Sequence, residues 1–177
     1  MAAFEELRER VRAAVRTFPD FPQPGVQFCD IMPLMRDPQL VDELCARVAD
    51  EFRGRVDVVA ALEARGFLFA PLIAVRLGVP FVPVRKRGKL PGPTLRATYT
   101  KEYGEDVIEV QADAFAPEQR VLLFDDLLAT GGTLAAAVQL VEAAGARFAA
   151  AFVLVELPAL GGRQRVDGAR VTSLLSF

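Results

Sequence analysis

The chain contains no histidine, so the commonest side-chain acid–base and the commonest zinc ligand are both missing. Any proton transfer must then use carboxylates, Tyr99, Tyr103 or water. The two cysteines, Cys29 and Cys45, form no recognisable ligand spacing, and no charged segment followed by an apolar one opens the chain. A reduced, cytoplasmic protein is expected. No apolar run approaches the roughly 20 residues needed to cross a bilayer, which argues against a membrane role. Lysine occurs only as Lys86, Lys89 and Lys101, all in one stretch. With a formal net charge of -2 there is no global attraction to nucleic acid, so any anion-binding patch must be local. Neither a Gly-Lys-Ser/Thr phosphate loop nor a Gly-x-Gly-x-x-Gly fingerprint is present, which counts against those two nucleotide folds.

What is present suits one globular domain: 177 residues, 52% hydrophobic and 25% charged. Apolar spacing predicts a helix over 4–18, ended by Pro19, and a second over 38–52 with Asp37 as its N-cap. Between them, 19–38 is proline-rich and reads as an irregular connection with short extended pieces. Strands are expected at 56–61, 80–84, 121–124 and 148–155, with a helix over 67–77 closed by Gly78 and another over 134–144 stopped at Gly145. Residues 107–110 alternate weakly, as an edge or hairpin strand would. Strands separated by helices imply an α/β fold with an open, mostly parallel sheet whose ligands bind beyond the carboxyl ends of its strands. The polar, Pro/Gly-rich segment 85–106 reads as a loop that covers something.

The densest signal is Val121 to Thr133, Val-Leu-Leu-Phe-Asp-Asp-Leu-Leu-Ala-Thr-Gly-Gly-Thr. It reads as a buried strand, two adjacent carboxylates, a phosphate-sized turn and a helix start. Free backbone N–H groups at that start suit an anion, and acidic side chains beside them suit sugar hydroxyls. In this the chain resembles the type I phosphoribosyltransferases, whose signature for phosphoribosyl pyrophosphate is this strand, acidic pair and Thr-Gly-Gly-Thr turn. The resemblance implies that Asp125 and Asp126 approach the ribose hydroxyls. It also implies that Ala129, Thr130, Gly131, Gly132 and Thr133 surround the 5′-phosphate.

Two further segments fit the same family. Ala60 to Phe67, Ala-Ala-Leu-Glu-Ala-Arg-Gly-Phe, taken alone is a salt-bridging Glu-Arg pair at a helix start; the resemblance makes it the pyrophosphate loop, with Arg65 on the leaving group and a cis peptide at Glu63-Ala64. The basic run Arg85-Lys86-Arg87-Gly88-Lys89 is by charge alone a solvated loop, and by resemblance a pyrophosphate-binding group (Arg85, Lys86, Lys89) shared across a homodimer interface. Its continuation Leu90-Pro-Gly-Pro-Thr94 is similar to the adenine-specific members in particular. So are Phe18-Pro-Asp-Phe-Pro-x-Pro-Gly25 and Glu102-Tyr103-Gly104.

That resemblance implies a single domain over 1–177, with a hood of 1–36 completed by the C-terminal segment and a flexible lid over 88–106. It puts adenine against Val26, Gln27 and Phe28, gives the lid Tyr103 and a catalytic acid Glu102 beside Asp125 and Asp126, and brings Mg²⁺ in through substrate oxygens. The implied reaction is adenine plus phosphoribosyl pyrophosphate giving AMP and pyrophosphate. Two departures stand out: Cys29 replaces an arginine found in many relatives, and Glu63-Ala64 replaces an Asp-Ser pair. The competing readings are a non-catalytic phosphoribosyl pyrophosphate sensor on the same fold and a transferase for another purine. No appended DNA-binding helix pair supports the first, and the Phe-Pro-Asp-Phe-Pro segment is not expected of the second.

Overall fold

The structure is a computed structural model describing residues 2–101 and 104–177. Helix α1 (Ala2–Ala14) ends four residues before the helix expected from apolar spacing. The reason is pairing: β1 (Arg16–Phe18) leaves the helix to form an antiparallel ladder with β2 (Phe28–Asp30), Thr17 facing Cys29. The 19–38 connection is thus more ordered than its proline content suggests. A 3₁₀ turn at Met32–Arg36 leads into α2 (Pro38–Phe52). Asp37 caps α2 as expected, its Oδ1 accepting from the Leu40 N–H at 3.0 Å.

The main sheet then builds from β3 (Val58–Leu62), a 3₁₀ turn at Arg65–Leu68, α3 (Ala70–Leu77) and β4 (Phe81–Lys86). Next come β5 (Thr94–Lys101), β6 (Gly104–Gln111), β7 (Arg120–Leu128), α4 (Gly132–Ala143), β8 (Arg147–Glu156) and β9 (Val171–Ser176). Seven strands lie in the order β5-β6-β4-β3-β7-β8-β9. Pairs among β4, β3, β7, β8 and β9 are parallel, and β6 joins both β4 and β5 antiparallel. An open, mostly parallel sheet flanked by helices is therefore the architecture, as the alternation of strand and helix patterns implied.

One expectation needs correction. Residues 94–101 are not irregular loop but the edge strand, paired with β6 from Thr94↔Gln111 to Lys101↔Gly104. Leu95, Ala97 and Tyr99 alternate inward there, a period-2 pattern obscured by the prolines and glycines just before it. The C-terminal segment, expected to complete the hood, gives β9 to the main sheet and also meets α1: Arg8 Nε donates to the Leu174 carbonyl at 2.9 Å, and the Arg12 guanidinium lies 5.3 Å from the centre of the Phe177 ring.

Each face of the sheet carries its own core. Leu122 and Phe124 of β7 pack with α1, α2 and α3 residues such as Leu7, Leu44 and Ile73; Val121 and Leu123 pack with Leu134, Ala137 and Leu140 of α4. This alternation fixes which way β7 faces as it runs toward its acidic end. Phe124 is held between Phe152, stacked at 5.8 Å, and Phe69 at 6.1 Å.

Candidate active site

β7 does not stop at Phe124. Its ladder with β8 continues through Asp125↔Val153 and Leu127↔Val155 to Leu128↔Glu156, so the acidic pair sits within the strand and is held by sheet geometry. The chain then turns through Ala129 and Thr130 to Gly131, which adopts φ 78° and caps α4. A left-handed residue there favours glycine, and it leaves the first α4 amides without intrahelical acceptors. Asp125, Asp126, Ala129, Thr130, Gly131 and Thr133 all line one cavity of about 270 Å³, together with Glu63, Arg65, Lys86 and Tyr99. Gly132 is not on its wall; the side of Gly132 where a side chain would project faces Tyr99 and the Thr100 carbonyl of β5.

The carboxylates are under tension. Loss of solvent, then the neighbouring Asp126 charge, pushes the Asp125 carboxyl well above the usual range, although its Oδ1 accepts from the Asp126 N–H at 2.9 Å. Burial also raises Asp126, with the Arg65 guanidinium opposing it. Arg65 Nε lies 2.9 Å from Asp126 Oδ2, an ion pair without hydrogen-bond alignment, and that buried oxygen has no hydrogen-bond partner among the described residues. An unsatisfied buried acceptor at a cavity wall is a place where a ligand hydroxyl gains most.

Arg65 reaches this position because its turn lies against β7. A Cβ on Gly66 would lie 3.0 Å from the Phe124 carbonyl oxygen and 3.3 Å from the Ala61 Cβ, so glycine allows that close approach without displacing β7. The preceding Glu63–Ala64 peptide is cis, as the resemblance implied. Arg65 does not pair with Glu63. Its guanidinium instead lies 5.2 Å from the centre of the Phe28 ring, bridging the acidic pair to the hood.

Of the basic run, Lys86 is on the cavity wall, but Arg85 and Lys89 are not. Both bind Glu63: Lys89 Nζ at 2.6 Å, and Arg85 Nη2 and Nε at 3.2 and 3.3 Å, with the Lys86 N–H donating at 3.1 Å. Burial resists ionisation of Glu63, yet these donors outweigh it and hold the carboxyl at about 2. Glu109 of β6, overlooked in the sequence, has the companion role. Buried by the sheet, it accepts from the Gly88 N–H at 2.8 Å, the Lys89 N–H at 3.2 Å and Arg96 Nε at 3.2 Å, shaping the basic loop. A lone glutamate in an alternating strand carries no pattern that would have marked it.

Val26, Gln27 and Phe28 line a second cavity of about 360 Å³. Its far wall is Leu157, Ala159, Leu160 and Phe177, which sequence reasoning missed because they are ordinary apolar residues. Leu127, Ala129 and Thr130 line both cavities, making one cleft with an apolar half and a half lined by charged side chains. Cys29 is 1% exposed in β2, and burial pushes its thiol up, so it is a packing residue there. Glu102 and Tyr103, the expected lid acid and its neighbour, lie outside the described residues.

This fold and cleft are those of a sugar-phosphate transferase, and comparison with known proteins agrees. Residues 34–174 match the phosphoribosyl transferase domain family. The chain is 53% identical over 177 residues to an adenine phosphoribosyltransferase of Caenorhabditis elegans, covering 98% of this chain and 96% of that one. Among solved structures, the adenine phosphoribosyltransferase of Thermoanaerobacter pseudethanolicus superposes with a TM-score of 0.92 at 46% identity, covering 96% of this chain and 99% of that one. That of Saccharomyces cerevisiae, complexed with adenine and an imino-altritol bisphosphate, gives 0.91 at 40% identity, covering 99% of this chain and 100% of that one. The chain belongs to the phosphoribosyltransferase family and, within it, to the adenine phosphoribosyltransferases.

Proposed function

We propose that the protein transfers the 5-phosphoribosyl group from phosphoribosyl pyrophosphate to adenine, forming AMP and pyrophosphate in cytoplasmic purine salvage. The observation that carries this reading is the shared wall of Leu127, Ala129 and Thr130, which sets an apolar pocket roomy enough for a purine directly beside the acidic pair and the glycine turn. Adenine lies against Val26, Gln27 and Phe28, and the ring of Phe28 offers a stacking face. The 5′-phosphate binds the amides at Ala129–Thr133, where the start of α4 adds a partial positive charge.

Breaking the bond between the anomeric carbon and pyrophosphate leaves positive charge on the ribose. Asp125 and Asp126 hold its hydroxyls and favour that charge, while Arg65 and Lys86 stabilise the departing polyanion. Arg85 and Lys89 act with them once a ligand's charge competes with Glu63. A hard cation fits here through substrate oxygens and not through a protein cage: no cluster of three or more metal-ligating side chains occurs among the described residues, and Asp126 is paired with Arg65. Mg²⁺ carried on the substrate would neutralise leaving-group charge there. Adenine loses a ring proton as it attacks, and Glu102 or water accepts it. The β5–β6 hairpin, whose Tyr99 touches the cavity, is the lid that excludes water. The functional unit is a homodimer, which sedimentation of the purified protein checks.

Supplying phosphoribosyl pyrophosphate and Mg²⁺ with adenine, hypoxanthine, guanine and xanthine in turn tests the reaction. Nucleotide and pyrophosphate should form from adenine. Binding of the donor without product from any purine would contradict a transferase and point to a sensor; product from an oxopurine instead would overturn the base assignment.

A further inference from the structure

Beyond the cleft walls, one half-buried ion pair lies on neither cavity and closes the segment that meets both. Glu156 ends β8 beside Leu128 and is 6% exposed. Arg163, seven residues on, grips it with two parallel bonds, Nε to Oε1 at 2.6 Å and Nη2 to Oε2 at 2.8 Å. The remaining donors go to the Gly168 carbonyl at 3.0 Å, the Val171 carbonyl at 2.6 Å and Ser173 Oγ at 3.0 Å. A guanidinium has five N–H donors, and here all of them are committed. Arg163 therefore has none left for a ligand.

The pair closes a loop, and what the loop presents is informative. Leu157, Ala159 and Leu160 form the far wall of the apolar pocket. Gly162, immediately before Arg163, lies backbone to backbone against the phosphate turn: a Cβ there would overlap the Ala129 carbonyl oxygen, and a Cβ on Gly131 would overlap the Gly162 carbonyl oxygen. The Leu157 N–H donates to the Leu128 carbonyl at 2.9 Å, so the loop is also tied to the strand that delivers the turn.

We propose that Glu156 and Arg163 are positioning residues for both substrates: their fork locks the 157–162 loop so that Gly162 buttresses the 5′-phosphate turn while Leu157, Ala159 and Leu160 hold the purine wall. This rests on the transferase reading above. The basic leaving-group side, built on Arg65, Lys86 and the Glu63 cluster, is held by other contacts and should be insensitive to the pair. Arginine is required because lysine keeps the charge but cannot make the bidentate, five-donor geometry.

Arg163→Lys is the discriminating variant, with Ser173→Ala as a milder one that removes only the Ser173 hydroxyl should the first fold poorly. Wild type and variants are compared for KM of phosphoribosyl pyrophosphate and adenine, for calorimetric binding of ribose 5-phosphate, for inhibition by pyrophosphate, and for Tm. The expected result is that both KM values rise and ribose 5-phosphate affinity falls, by about tenfold or more in Arg163→Lys, as misplacement of a binding element by a fraction of an ångström commonly does. Pyrophosphate inhibition should stay at the wild-type value, and Ser173→Ala should shift in the same direction by less. A fall in Tm with all ligand constants unchanged, or an equal loss for pyrophosphate, would make the pair a general stabiliser and overturn the proposal. Failure of the wild type to form AMP would instead strike the underlying reading, which keeps the two outcomes separate.

Discussion

Asp125 and Asp126 show how function and stability oppose each other at single side chains. Both carboxyls are raised, Asp125 well above its ordinary value by desolvation and then by the Asp126 charge. A raised folded value means that ionisation costs stability, and the cost grows as pH rises through that value. Asp125→Asn should therefore raise Tm at pH 8 while lowering kcat/KM by about 10²–10³-fold, the scale of losing one electrostatic contact in a transition state. Thermal melting and steady-state rates on the same preparation check both halves; near wild-type turnover would remove the residue from the mechanism. Glu63 behaves oppositely. Its carboxyl, held at about 2 against an ordinary 4.5, contributes stability that is complete above 4.5 and lost as pH falls toward 2. Glu63→Gln should flatten that acid limb of a Tm-against-pH curve, and an unchanged limb would mean that the Arg85–Lys89 cluster is not held through it.

At the scale of elements, the legible parts were those whose ends are marked chemically. Asp37-Pro38 announced α2 because an N-cap and a missing N–H both suit a helix start, and the acidic pair with its glycine turn announced the phosphate site. Hydropathy misjudged β7, which runs on to Leu128 because pairing with β8 satisfies its backbone regardless of the carboxylates it carries. The β5 strand was hidden for another reason: its partner lies across a hairpin, and its alternation at Leu95, Ala97 and Tyr99 follows directly on a proline-rich turn that masks it. The basic loop before it depends on Glu109, which fastens the backbone of residues 88–90. Glu109→Ala leaves those amides without their acceptor, so a loss of about 1–3 kcal/mol in stability is expected. Because the same loop carries Lys89, KM for phosphoribosyl pyrophosphate should rise more than KM for adenine. Denaturant unfolding and the two KM values measure this, and equal changes in both would disconnect the loop from the leaving-group side.

For the molecule as a whole, the cleft exists because elements far apart in sequence end at one edge of the sheet. β3 delivers Arg65, β4 delivers Lys86, β7 delivers the acidic pair and β8 delivers the apolar wall, all at or just past the carboxyl-terminal ends of parallel strands. Local patterns could name most of these groups, but not that Arg65 would span from Asp126 to Phe28, nor that Arg85 and Lys89 would turn away to Glu63, since both depend on strand order. The framework behind them rests on the stacked Phe124–Phe152 pair beneath the acidic strand. Phe124→Ala should cost about 3–5 kcal/mol by chemical denaturation; a loss below 1 kcal/mol would show that the core does not brace the site. The arrangement of base and phosphate along one cleft is tested most directly by a crystal structure of the protein with AMP. The account predicts adenine between Phe28 and Leu160, ribose hydroxyls on Asp125 and Asp126, and phosphate on the amides of 129–133. AMP bound with its phosphate toward Lys86 and Arg65, or outside the cleft, would contradict it.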